Sequence, residues 1–135
     1  MADHRPHGSF LAGDAGELAG VSGTTIGQWA RRGLIRSSVS EDDPRRYGVE
    51  DVAEAAMVRA LLARGIRHAE IHAAIAHLGP RRWPLSAATL ATTTEPHPRL
   101  VLRTDDGDWI LTRRGWQQPA TPVGLREVHV RLSGA

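Results

Sequence analysis

Gly79-Pro80 divides this chain into two parts of different periodicity. Upstream, apolar residues recur at helical spacing. Downstream, Pro80, Pro84, Pro96, Pro98, Pro119 and Pro122 separate short β-type runs, and prolines at this density exclude a long helix. The pattern predicts an α+β protein with a disordered tail over 1–9, an all-helical unit over 10–79 and a small antiparallel β appendage over 80–135. A chain of 135 residues supports one domain or two very small ones. The absence of cysteine excludes a disulfide scaffold, a Cys-ligated zinc finger and a thiol nucleophile. No run of 18 apolar residues occurs, and Met1 to Ser9 lacks the apolar stretch of a signal peptide. The expectation is a cytoplasmic protein with no membrane partner.

In the helical unit, Leu11, Ala15, Leu18 and Ala19 share one face of a short helix, and Gly20 can take the left-handed conformation that stops it. Ser22 is placed to cap a second helix, Gly23 to Arg32, with Ile26, Trp29 and Ala30 inward and Gly33 at its end. Two short helices about a glycine turn, the second with a polar outer face, meet the requirements of a helix-turn-helix. Residues 35–47 predict a β-hairpin wing around Pro44. Helices over Val49–Arg64 and Arg67–Leu78 follow, with Val52, Ala56, Met57, Ala60 and Leu61, then Ile71, Ala74, Ile75 and Leu78, facing inward.

The ordered series Glu17-Leu18-Ala19-Gly20-Val21-Ser22, Thr25-Ile26, Arg32-Gly33-Leu34-Ile35, Arg45-Arg46-Tyr47, Glu50-Asp51-Val52 and Leu61–Ile66, with Glu70-Ile71 after it, resembles a MerR-family winged helix-turn-helix. The resemblance spans about residues 10–78. It implies a bacterial DNA-binding transcription regulator with its second helix in the major groove and its wing on flanking phosphates or the minor groove. Gly27-Gln28-Trp29 replaces the family's Arg and paired aromatics, and this stretch looks more like the small BldC-type and excisionase-type relatives. Gly79-Pro80 also interrupts the point where the family's long dimerisation helix would begin.

All seventeen basic residues are arginine, a habit of GC-rich genomes that weakens each arginine as a recognition signal. The net charge of +2 conceals an uneven spread. Residues 1–79 hold nine arginines against ten acids, and residues 80–135 hold eight against five. DNA binding must therefore rest on local clustering. The expected contacts are Ser22, Thr24, Thr25, Gln28, Arg31, Arg32, Arg36, Arg45, Arg46 and Tyr47. Thr24, Thr25 and Gln28 suit base edges, and the arginines suit phosphates. Each has a plainer reading. Thr24, Thr25 and Gln28 are also ordinary solvated helix positions. Arg31 and Arg32 suit any helix C-terminus, Arg45 and Arg46 suit the neighbouring Glu41-Asp42-Asp43, and Tyr47 suits packing of the wing.

His68 and His72 lie one helical turn apart, but HAEIH lacks the zincin spacing; the position of His68 is apolar in the resembled family, and the resemblance therefore implies a partly buried structural role for it. No catalytic constellation, metal site or cofactor site is expected, so the chain reads as a non-enzyme. In the appendage, a short helix is expected over 85–91, strands over Leu100–Thr104, Trp109–Arg113 and Arg126–Leu132, and a hairpin turning at Asp106-Gly107. That turn would pair Leu102 with Leu111 and Thr104 with Trp109, and the three strands with Trp83, Trp109 and Trp116 are expected to form a small satellite sheet. The functional expectation is a sequence-specific regulator bound to double-stranded DNA, as a homodimer or a cooperative array. An antitoxin capturing a protein partner through residues 80–135 and an excisionase-like DNA-bending factor remain open. So does a tryptophan-lined ligand pocket, for which the appendage leaves little room.

Overall fold

The computed structural model describes residues 9–78, 89–121 and 123–129. The expected tail over 1–8, the Gly79-Pro80 junction, Trp83 and the strand positions beyond His129 lie outside the described residues. Among the described residues four helices precede five strands: α1 (Ala12–Ala19), α2 (Gly23–Arg31), α3 (Val49–Ala63), α4 (His68–Leu78), β1 (Thr89–Thr93), β2 (Leu100–Thr104), β3 (Gly107–Thr112), β4 (Gly115–Gln117) and β5 (Leu125–Glu127). The architecture is α+β. No helix among the described residues is long and apolar enough to cross a membrane. The chain divides into two compact units within α3, between Arg59 and Ala60, with α4 and the strands in the second.

In the first unit, Gly20 stops α1 at φ 87°, and its N–H donates to the Gly16 carbonyl at 2.8 Å. Gly16 itself is required by close approach. A Cβ there would meet the Val21 carbonyl oxygen at 2.5 Å, so only glycine lets the turn fold back on α1. Ile26 and Trp29 of α2 are buried, each contributing roughly 1.5–3 kcal/mol by leaving water. Ala30, expected inward with them, is half-buried.

Helix α3 begins with Glu50 and Asp51 at the positive end of its dipole. Asp51 reaches back to accept the Gly48 N–H at 2.7 Å, half of a capping box. From Asp51 to Val58 only Ala53 is not buried, whereas the sequence predicts a single buried face. A helix enclosed on most sides fits the middle of a core rather than its rim.

In the second unit the strands form one antiparallel sheet in the order β4-β3-β2-β1-β5. Ala91, Val101 and Ile110 make a buried cluster on one face with Val123 and Leu125 against it, while Leu90, Leu100 and Leu102 are also buried. Arg64, just past α3, fastens β1 and β5 by donating to Thr92 Oγ1 at 3.2 Å, the Arg126 carbonyl at 2.8 Å and the Glu127 carbonyl at 2.7 Å. Burial, with help from Arg126, holds its pKa below the ordinary guanidinium value.

Three expectations for this part need correction. Residues 89–91 are strand, not helix; β1 is buried along most of its length, and a strand buried on both sides shows no alternation to read. The β2–β3 register is displaced by two residues, with Leu102 opposite Trp109 and Thr104 opposite Gly107. Asp105 and Asp106 form the turn with ordinary negative φ, and the positive φ of 124° falls on Gly107, just after it. The sheet also has five strands rather than three, which relieves the marginal stability expected of a smaller one.

The same turn occurs twice. In Thr104-Asp105-Asp106-Gly107 and Thr112-Arg113-Arg114-Gly115, the threonine hydroxyl donates to the glycine carbonyl, at 3.1 and 3.0 Å. It also accepts the amide of the third residue, at 3.2 and 3.1 Å, and Gly115 repeats the positive φ at 100°. One tip is acidic and the other basic.

Candidate nucleic-acid interface

Ser22 fixes the start of α2. Its side chain accepts the Thr25 N–H at 3.0 Å and donates to Thr25 Oγ1 at 2.9 Å. With Ile26 and Trp29 committed to the core, helical geometry turns Thr24, Gln28, Arg31 and Arg32 outward, and all four are exposed. Thr25 is half-buried, with its hydroxyl engaged by the cap.

The expected wing is not a regular hairpin. It is a loop closed by one bridge, in which Ser40 and Arg46 exchange backbone hydrogen bonds at 3.2 and 2.9 Å. Its remaining order comes from side chains. Asp51, 1% exposed, accepts from the Ser38 N–H at 2.8 Å and the Ser38 hydroxyl at 2.7 Å. Arg45 Nη1 donates to Ser37 Oγ at 2.9 Å. Ser37, Ser38 and Asp51 were not among the expected residues. The signal available was a Ser-Ser pair beside an acidic helix start.

Thr24 and Arg31 line a groove of about 760 Å3 together with Arg45 and Tyr47 from the loop. A Cβ on Gly27 would lie 3.3 Å from Arg31 Nη1, so the Arg31 guanidinium lies back along α2 over that glycine. Ser22, Thr25, Gln28, Arg32, Arg36 and Arg46 do not line this groove. Arg36 and Arg46 are exposed, and Arg46 Nη1 reaches Ser9 Oγ at 3.5 Å. Glu41 and Asp43 also line it, so the groove is of mixed charge.

Tyr47 is 1% exposed and exchanges backbone hydrogen bonds of 2.8 Å with Phe10. Burial raises its pKa, against the opposing fields of Arg45 and Arg31. Its ring is thus a packed element of the groove, the plainer of its two expected roles. His68 and His72 are both exposed, so the partly buried place expected for His68 is not what it occupies.

A family model described as MerR HTH family regulatory protein matches residues 11–78, half of the chain. The chain belongs to the MerR HTH family. As a MerR-family protein it is a DNA-binding, helix-turn-helix transcription regulator, and the matched residues run from the start of α1 to the end of α4. No curated protein and no solved structure matches the chain.

Proposed function

We propose that this MerR-family chain is a sequence-specific transcription regulator that lays α2 in the major groove of double-stranded DNA. The supporting observation is the outer face of α2, where Thr24, Gln28, Arg31 and Arg32 are exposed opposite the buried Ile26 and Trp29. Thr24, Thr25 and Gln28 read base edges, a well-placed glutamine pairing bidentately with adenine. Arg31, Arg32 and Ser22 hold phosphates at the helix ends, and Arg36, Arg45 and Arg46 grip the flanking backbone from the loop. Tyr47 supports that loop from within. The DNA-binding domain spans residues 10–79, and a second copy binds beside the first on DNA.

The test is selection of bound duplexes from a randomised pool, followed by salt titrations measured by anisotropy. Gln28→Ala is expected to relax preference at one base pair by about 5–150-fold while leaving the salt slope unchanged. Arg45→Ala combined with Arg46→Ala is expected to weaken all sequences together and flatten the slope by about two. Equal affinity of wild type and the double variant across the salt range would remove the loop from the interface.

A further inference from the structure

We propose that the outer edge of β4 is a docking surface for a second copy of this chain. The two copies run antiparallel, and the acidic turn of each stands against the basic turn of the other. Asp105-Asp106 and Arg113-Arg114 are exposed at opposite ends of β3, about 20 Å apart. Exposed charges are screened over about 8 Å at physiological salt, so the two tips cannot neutralise each other within one chain. Among the described residues none of these four side chains forms an ion pair. Arg103 of the same sheet, by contrast, reaches both Asp108 and Glu127 at 3.0 Å. Each tip is also fixed in place, because Thr104 and Thr112 tie their own turns. One chain thus carries two rigid, unpaired poles of opposite sign, and the partner that matches both is another copy of itself.

The edges of the sheet decide where that copy sits. β4 and β5 are the outermost strands. At β5 the Arg64 guanidinium already occupies the Arg126 and Glu127 carbonyls, at 2.8 and 2.7 Å. At β4 no described strand pairs on the outer side, and Gln117 and Gln118 are exposed. His77 Nδ1 lies 3.4 Å from where a Gly115 Cβ would project, so α4 meets β4 from a face of the sheet and not along this edge. An edge strand presents N–H and C=O groups that another strand can take up. The basic turn leads directly into β4, and Gln118 Nε2 donates to the Asp106 carbonyl at 2.8 Å, which sets the other end of β4 beside the acidic turn. Two β4 strands paired antiparallel therefore bring acidic against basic at both ends. Parallel pairing would set like charges together. The antiparallel arrangement is two-fold and closed, so it yields a dimer and not a growing row of copies. An edge of three residues makes a small interface, so backbone pairing holds the copies weakly and the charges select their direction. This surface lies outside residues 11–78, and the inference does not rest on the DNA-reading face proposed above.

The experiment is sedimentation equilibrium of the full-length protein without DNA. The wild type is expected to show a monomer–dimer equilibrium that weakens as salt is raised. Asp105→Arg with Asp106→Arg makes both tips basic, and Arg113→Glu with Arg114→Glu makes both acidic. Each double variant alone is expected to dimerise at least about tenfold more weakly than the wild type. An equimolar mixture of the two is expected to recover a dimer of near wild-type affinity, because opposite charges again meet at both ends. That recovery requires both variants to be folded, so it separates a lost interface from a lost fold. A wild type that stays monomeric at about 0.5 mM overturns the proposal. So do reversed variants that dimerise as well as the wild type, a mixture that stays monomeric, or association that runs beyond the dimer.

Discussion

Loop 40–46 and the β2–β3 turn each reverse the chain between residues that pair across it, and their stabilisation comes from different places. The β2–β3 turn is self-contained. Thr104 ties its own glycine carbonyl and its own third amide, Gly107 supplies the positive φ, and four residue pairs continue the ladder. The loop has a single bridge, and its geometry is imposed from Asp51 through Ser38 and from Ser37 through Arg45. A turn closed by its own residues is rigid wherever it stands. A loop held by a neighbouring helix keeps exposed side chains at its tip while its base is fixed, which suits a surface that must fit a partner.

The largest expected effect tests that external support. Asp51→Ala removes three hydrogen bonds of 2.7–2.8 Å to a buried carboxylate and leaves the Ser38 and Gly48 amides without their acceptor. The expected loss is about 3 kcal/mol or more in urea denaturation, with Asp51→Asn recovering part of it. A loss below about 1 kcal/mol would mean that the loop is held by something else, and the contrast would fail. Next come Gly107→Ala and Gly115→Ala, each expected to cost about 1–2 kcal/mol because an alanine must adopt positive φ.

The two threonines sharpen the comparison within the sheet. Thr112→Val should cost about 1 kcal/mol, and Thr104→Val about 2 kcal/mol, because only Thr104 also serves a tryptophan N–H. Equal losses would show that the Trp109 bond adds nothing. The smallest effect is a pH dependence at Tyr47. An unfolded tyrosine ionises near 10.0 and the buried native one at higher pH, so between these values the native protein binds more protons than the unfolded chain. Stability is expected to fall as pH rises above 10 until native Tyr47 also ionises, and Tyr47→Phe should remove that part of the fall.

The helix-turn-helix was legible because its determinants are local. Gly20, Ser22 and the Ile26–Trp29 spacing each dictate one feature of α1 or α2 without help from distant residues. The outward direction of Thr24, Gln28, Arg31 and Arg32 follows from the same spacing. The sheet was less legible because its cues are contextual. In Leu85–Ala91 the alanines and leucines suggest helix, and only pairing with β2 and β5 makes the segment from Thr89 a strand. The Asp106-Gly107 pair suggested a turn in which both residues take positive φ. The Thr-x-x-Gly repeat, visible once Thr112–Gly115 is set beside Thr104–Gly107, places the glycine one step later and accounts for the register. The supports of loop 40–46 come from Asp51 in α3, and no periodicity in the loop itself announces them.

The twin turns lie at opposite ends of β3, a strand of six residues, with exposed Asp105 and Asp106 at one end and exposed Arg113 and Arg114 at the other. The separation is about 20 Å, so the second unit carries a fixed pair of opposed poles on a stiff bar. In the field of a polyanion such a bar feels a torque before it feels contact. The torque of these four charges alone turns the basic tip toward the polyanion and the acidic tip away from it.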